Sequence, residues 1–219
     1  MSAMAEPDRC RLVLIWPQAA SEDAAARLGA ALSGGDVASL IVPQHDRTDE
    51  DFQQLCEALL PVAQQAGVAV MVAGDSRVAG RVKADGVHVE ENSAGLADAI
   101  DRFGGKMMVG AGGAKTRDDA LNLGECQPDY IFFGRFGYDT KPEPHNRNLQ
   151  LGKWWAEMVS IPCVVMGGSE IASLEAVAAT GAEFAALCEA IFGEGRDPAA
   201  EVARANTLLD AAAPRFEDA

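Results

Sequence analysis

The 219-residue sequence predicts a single closed (β/α)8 barrel, the TIM-barrel fold, from three observations. Eight short apolar runs alternate with segments of helical character, and this repetition is typical of a parallel sheet. The runs are almost continuously apolar, as expected of strands that helices cover on the outside. The length also fits, because a barrel of about 200–250 residues forms one domain. We therefore predict one domain over residues 1–219, with a doubly wound open sheet as the alternative.

The predicted strands are Leu12–Trp16, Val37–Val42, Val68–Val72, Gly86–Val89, Met107–Gly110, Asp129–Phe133, Pro162–Met166 and Phe184–Cys188. The predicted helices include Glu22–Leu32, Arg77–Val82, Ala94–Arg102, Ala172–Ala179 and Pro198–Leu209. Two more helices begin near Thr48 and Thr116, residues that suit N-caps. Thr48 has Asp51 three residues on, a spacing that resembles a capping box. A long polar loop is expected over 134–148.

Charge and cysteine usage restrict the class of partner. The net charge is −15, and such a surface repels nucleic acid and anionic membranes. No apolar stretch reaches the roughly 18 residues of a membrane span, and residues 1–11 lack the apolar core of a signal peptide. The five cysteines form no C-x-x-C pair, which suits a reducing compartment. We expect a cytoplasmic protein with a small-molecule ligand, and a homodimer is one option for its assembly.

Two loops predict phosphate binding. Functional sites in (β/α)8 barrels form at the carboxyl ends of the strands. After strand seven, Gly167 and Gly168 allow the backbone to approach a ligand, and the next helix supplies free N–H groups. After strand eight, Glu189 and Ala190 can add further N–H groups. The sequence therefore predicts a phosphate site between these loops, with plain tight turns as the alternative.

Cations concentrate in two stretches of this acidic chain. Residues 102–117 contain four cations and no acid, and residues 135–153 contain four cations and two acids. Lys115, Arg135 and Lys141 follow strands five and six, so they should lie on the same face as the site. We interpret these three as an anion site. His88 alternates within strand four and should face the barrel interior, where a structural role is expected.

Several segments occur together in a known order. They are Ala84–Val89, Asp129–Gly134, Asp139–Pro142, Ile161–Gly168, Gly181–Ala182, Ala190–Phe192 and Asp197–Pro198. In this order and spacing the chain resembles the thiamine phosphate synthases and the related thiazole tautomerases, over roughly Arg11 to Leu209.

The resemblance implies a (β/α)8 barrel and a specific reaction. The synthases join an aminopyrimidine pyrophosphate to a thiazole phosphate and release pyrophosphate with Mg²⁺ present. By the match, Thr140 and Lys141 fall where a synthase holds phosphate, and Gly167 and Gly168 fall on its second phosphate loop. Arg135 and Lys141 would then be the catalytic cations, because departure of pyrophosphate requires charge neutralisation.

The chain departs from the family pattern at the residues that surround the metal and the pyrophosphate. Where synthases carry Asn-Asp after strand three, this chain has Ala73-Gly74, and Asp75 follows. Asp75 and Glu91 are the candidate Mg²⁺ ligands that remain. Glu189 replaces the family's serine near strand eight.

The catalytic histidine of the tautomerases would fall at Arg135, which cannot act as a base at ordinary pH. We therefore expect synthase turnover to be absent or at least about a hundredfold below a typical enzyme, a loss equivalent to roughly 3 kcal/mol. The alternatives are a non-catalytic binder of thiamine-related phosphates and a barrel enzyme with a different phosphorylated substrate.

Overall fold

The computed structural model describes residues 7–18 and 23–214, and it shows a closed barrel of eight parallel strands in chain order. The strands are β1 (Arg11–Ile15), β2 (Ser39–Pro43), β3 (Ala69–Ala73), β4 (Gly86–Val89), β5 (Met108–Ala111), β6 (Tyr130–Phe133), β7 (Cys163–Met166) and β8 (Phe184–Leu187). β1 pairs with both β2 and β8, and this pairing closes the ring. The predicted single-domain barrel is confirmed, and the open sheet is excluded.

The helices follow the strands in alternation. They are α1 (Ala24–Ser33), α2 (Asp49–Gln65), α3 (Ser76–Val82), α4 (Ser93–Phe103), α5 (Arg117–Gly124), α6 (Asn146–Met158), α7 (Ser173–Ala178), α8 (Glu189–Phe192) and α9 (Pro198–Ala212). Within the described residues, no helix is long and apolar enough to cross a membrane.

The strands divide the core into two layers. Leu12 and Leu14 of β1 point outward into the layer between strands and helices, whereas Val13 and Ile15 point into the barrel. This alternation follows from the two-residue period of a strand. The inner layer is smaller, and Phe132 and Met166 contribute to it near the carboxyl ends of their strands. Filled in this way, the interior supports the floor of a site at the barrel mouth.

Local signals located most helix starts correctly. The Thr48 hydroxyl accepts a hydrogen bond from the Asp51 amide at 3.1 Å, and Thr116 forms a full capping box with Asp119. The predicted helix start at Glu22 lies outside the described residues. Strand eight ends one residue earlier than predicted, and Cys188 instead precedes the short helix α8, which the sequence did not predict.

The loop between β6 and α6 packs on the loop that follows β7. The Ser169 amide donates to the Lys141 carbonyl at 2.7 Å. A Cβ atom at Gly168 would overlap the Pro142 carbonyl, so only glycine permits this close approach. The loop that contains Thr140 and Lys141 is therefore in direct backbone contact with the predicted phosphate loop after β7.

Candidate anion-binding site at the barrel mouth

His88 forms the floor of the mouth together with aromatic side chains. Its Nδ1 atom lies 2.9 Å from the Tyr130 hydroxyl, and its ring centroid lies 5.6 Å from Phe132 and 5.3 Å from Phe136. The Nε2 atom is buried without a hydrogen-bond partner within the described chain. Burial lowers the pKa of His88 to about 3, so the imidazole is neutral at physiological pH. A neutral imidazole with one unused nitrogen can form one hydrogen bond to a ligand.

The first cleft lies above this floor and has a volume of about 710 Å³. Both charge types line it. The carboxylates are Asp75, Glu90, Glu91 and Asp98, and the cations are Arg102 and Arg135. Partial burial raises the pKa of Glu90, and the nearby Arg135 opposes that rise. The first cleft therefore contains more carboxylates than cations.

The second cleft, of about 540 Å³, lies beside the β6–α6 loop. Arg135, Thr140 and Lys141 line it, as do Asp139 and Glu143. Since Arg135 lines both clefts, it stands at their junction. Its guanidinium lies 3.9 Å from the Tyr138 ring centroid, a cation–π contact that helps to orient the guanidinium.

The structure brings two of the three predicted cations together. Arg135 and Lys141 share the second cleft, but Lys115 lies in a separate groove of about 590 Å³ between α5 and α6. The other cations of that groove are Arg117, Arg147 and Lys153. The capping box at Thr116 explains the separation, because the Lys115 amide donates to Asp119 and the chain turns outward into α5.

The amides of the predicted phosphate loops already have partners inside the protein. The Gly167 amide donates to the Ala186 carbonyl at 2.9 Å, and the Gly168 amide donates to the Ser173 hydroxyl at 3.0 Å. The Glu189 amide donates to Oδ2 of Asp139 at 2.8 Å. Phosphate binding on these loops would require some of these bonds to break, so the site stays a prediction.

Sequence reasoning did not identify Asp139 as a residue of this site. Its side chain is only 3% exposed, although it lies on a loop of mostly exposed residues. The contact with Glu189 joins residues 50 positions apart, in segments that follow β6 and β8, which are not neighbours in the barrel. No sequence motif carries a signal for it.

The residues of the mouth do not form a site for Mg²⁺. Hard cations require several oxygen ligands. Both oxygens of Asp75 are bound to Arg77, whose Nε lies 2.8 Å from one of them, and these bonds lower the pKa of Asp75 to about 2. Glu91 lines the same cleft at its exposed rim. The described residues contain no group of three or more acidic, histidine or cysteine side chains that could hold a metal ion.

Fold and site together define a (β/α)8 barrel protein with a mixed-charge mouth at the carboxyl ends of its strands. Residues 12–191 match the family model described as thiamine monophosphate synthase, and the chain belongs to that family. This confirms the resemblance drawn from the motifs.

Relatives of the chain span its length. It is 34% identical over 202 residues to a thiamine-phosphate synthase of Rhodospirillum centenum, covering 91% of this chain and 98% of the relative. It is 31% identical over 221 residues to a thiamine-phosphate synthase of Hyphomonas neptunium, covering 97% and 100%. Among solved structures, thiamine phosphate pyrophosphorylase of Pyrococcus furiosus superposes with a TM-score of 0.78 at 19% identity, covering 94% of this chain and 98% of that one.

Proposed function

We propose that this protein binds an aminopyrimidine pyrophosphate at the barrel mouth and transfers the pyrimidine-methyl group to a thiazole, a reaction of the thiamine phosphate synthase type. The family and the names of its relatives support the reaction class. The single observation that carries the assignment is the position of Arg135, at the junction of two clefts above an aromatic floor that contains His88.

The chemistry is a substitution at the pyrimidine methylene carbon. The C–O bond to pyrophosphate breaks with its electron pair leaving on the pyrophosphate, and the thiazole nitrogen forms a bond to the methylene carbon. Arg135 would hold the leaving group, since a guanidinium is always charged and can bridge two phosphate oxygens. The His88 Nε2 would hydrogen-bond the pyrimidine, and Phe136 would pack on its face.

Turnover should be slow. The Asp75 carboxylate is bound to Arg77, so it is not available as a metal clamp on the leaving group. Loss of roughly 3 kcal/mol of such stabilisation costs about a hundredfold in rate. A cytosolic location is part of the same proposal, and the five free thiols support it.

The test mixes the purified protein with aminopyrimidine pyrophosphate, Mg²⁺ and the thiazole substrates and follows product formation. We expect a rate at least about a hundredfold below the enzyme median of about 10 per second, and Arg135→Ala should abolish it. Lys106→Ala is the matched control, because it removes an exposed cation near the opposite end of the barrel. Turnover near the median would contradict the predicted loss of the clamp. If Arg135→Ala had the same activity as the wild-type protein, Arg135 would not be the cation that holds the leaving group.

A non-catalytic binder is the second candidate, and the missing metal carboxylates favour it, because Asp75 is bound to Arg77. A binder predicts calorimetric binding of the aminopyrimidine pyrophosphate that Arg135→Ala weakens, with no product and no rescue of a thiamine auxotroph. Detectable Arg135-dependent product would reject the binder.

A further inference from the structure

A buried carboxylate of the β6–α6 loop contacts the predicted phosphate loop after β8. Oδ2 of Asp139 accepts the hydrogen bond from the Glu189 amide at 2.8 Å. Oδ1 is also buried and has no hydrogen-bond partner in the described chain. None of the ion pairs between described residues involves Asp139. The site therefore contains a buried carboxyl group without an ion-pair partner among the described residues, and one of its oxygens is an unused acceptor.

A second carboxylate lies close to Asp139. Glu189 lies two residues after the end of β8 and is half-buried. The pKa of Cys188 lies well above its ordinary value, first because of burial and then because of the carboxylates of Asp139 and Glu189, whereas Arg27 opposes the rise. The cations of the second cleft, Arg135, Lys141 and Arg147, are exposed, unlike Asp139.

A phosphate cannot share this place with Asp139. A second anion beside a buried carboxylate is repelled, and the repulsion is strongest where water is excluded. A hydroxyl has the opposite preference, because it can donate a hydrogen bond to Oδ1 and satisfy it. Buried polar groups that lack a partner discriminate strongly in favour of ligands that supply one.

We propose that Asp139 is a specificity-determining residue that excludes phosphate from the β7–β8 side of the mouth, so that the thiazole is taken as its free alcohol. This inference rests on the proposed function, and it specifies the second substrate of that reaction. The thiazole hydroxyl would donate to Asp139, and the pyrophosphate of the first substrate would remain with Arg135. The product would then be the unphosphorylated condensation product.

The test compares two probes by calorimetry, the hydroxyethyl thiazole alcohol and its phosphate ester. The wild-type protein should bind the alcohol at least about tenfold more tightly than the ester. Asp139→Asn keeps an oxygen for the Glu189 amide and removes the charge, so it should strengthen ester binding at least about tenfold. Glu175→Gln is the matched control, because it removes an exposed carboxylate of α7 that lines neither cleft and should leave the preference unchanged.

Tighter binding of the ester than of the alcohol by the wild-type protein would overturn the proposal, as would failure to bind the alcohol. An unchanged preference in a folded Asp139→Asn protein would also overturn it. If that variant does not fold, the comparison of the two probes on the wild-type protein decides alone. Binding of the aminopyrimidine pyrophosphate through Arg135 is measured in a separate experiment. Loss of that binding would reject the proposed function, whereas the choice between alcohol and ester tests Asp139.

Discussion

The buried His88 should make the stability of the fold depend on pH. Its pKa is about 3 in the folded protein because of burial, compared with 6.5 when the chain is unfolded. Below pH 6.5 the unfolded state therefore binds a proton that the folded state does not. Stability rises with pH wherever the unfolded state binds more protons, so this contribution is complete above pH 6.5 and is lost progressively as the pH falls toward 3.

The magnitude follows from the two pKa values. Each pH unit below 6.5 costs about 1.4 kcal/mol until the folded-state pKa is reached. Between pH 7.5 and pH 5.0 the free energy of unfolding should fall by about 2 kcal/mol through His88 alone. Over this range the loss is set by the unfolded-state pKa, because the folded imidazole remains neutral.

Urea unfolding of the wild-type protein and of His88→Phe at both pH values measures this contribution. A phenyl ring fits among Phe132, Phe136 and Tyr130 and cannot take a proton. The variant loses the hydrogen bond to Tyr130, a cost of about 1 kcal/mol that applies at both pH values and cancels. His45, whose pKa burial also lowers, is present in both proteins and cancels too. If the two proteins lost equal stability on acidification, the imidazole would not be a buried neutral group.

Two further predictions concern metal and thiols. Calorimetry should show that Mg²⁺ binds the wild-type protein alone with a dissociation constant above about 1 mM. Arg77→Gln should strengthen this binding, because it releases the Asp75 carboxylate. Tight stoichiometric binding of Mg²⁺ by the wild-type protein would contradict this prediction. At pH 8 a disulfide reagent should label only Cys126 among the five thiols of the native protein, and all five thiols in urea. The other four thiols are buried, and burial raises their pKa, to about 12 for Cys10 and Cys56. Rapid native labelling of more than one thiol would disprove it.

Features that depend on short stretches of sequence were predicted well. Continuous apolar runs located the strands, and the caps at Thr48 and Thr116 located two helices, because a cap is satisfied within three residues. The single-turn helix Glu189–Phe192 was missed, since four residues are too few for a periodic pattern.

The chemistry of the site was less predictable because it depends on side-chain partners. Asp75 was correctly placed at the mouth, but its engagement by Arg77 depends on a rotamer that the sequence does not encode in any pattern. Lys115 was placed on the correct loop, but the direction of the chain after it removes it from the clefts. The Asp139–Glu189 contact depends on the paths of two loops through space.

The pairing of β1 with β8, which closes the barrel, has a consequence for the synthesis of the protein. Beside it, Arg9 is almost fully buried and binds Asp210, a residue 201 positions further along the chain. On a ribosome these partners become available only when nearly the whole polypeptide has been made. Until then β1 has no β8 to pair with, and contacts of such sequence separation form slowly. We therefore expect the pairing of β1 with β8 to be the last part of the ring to form during synthesis.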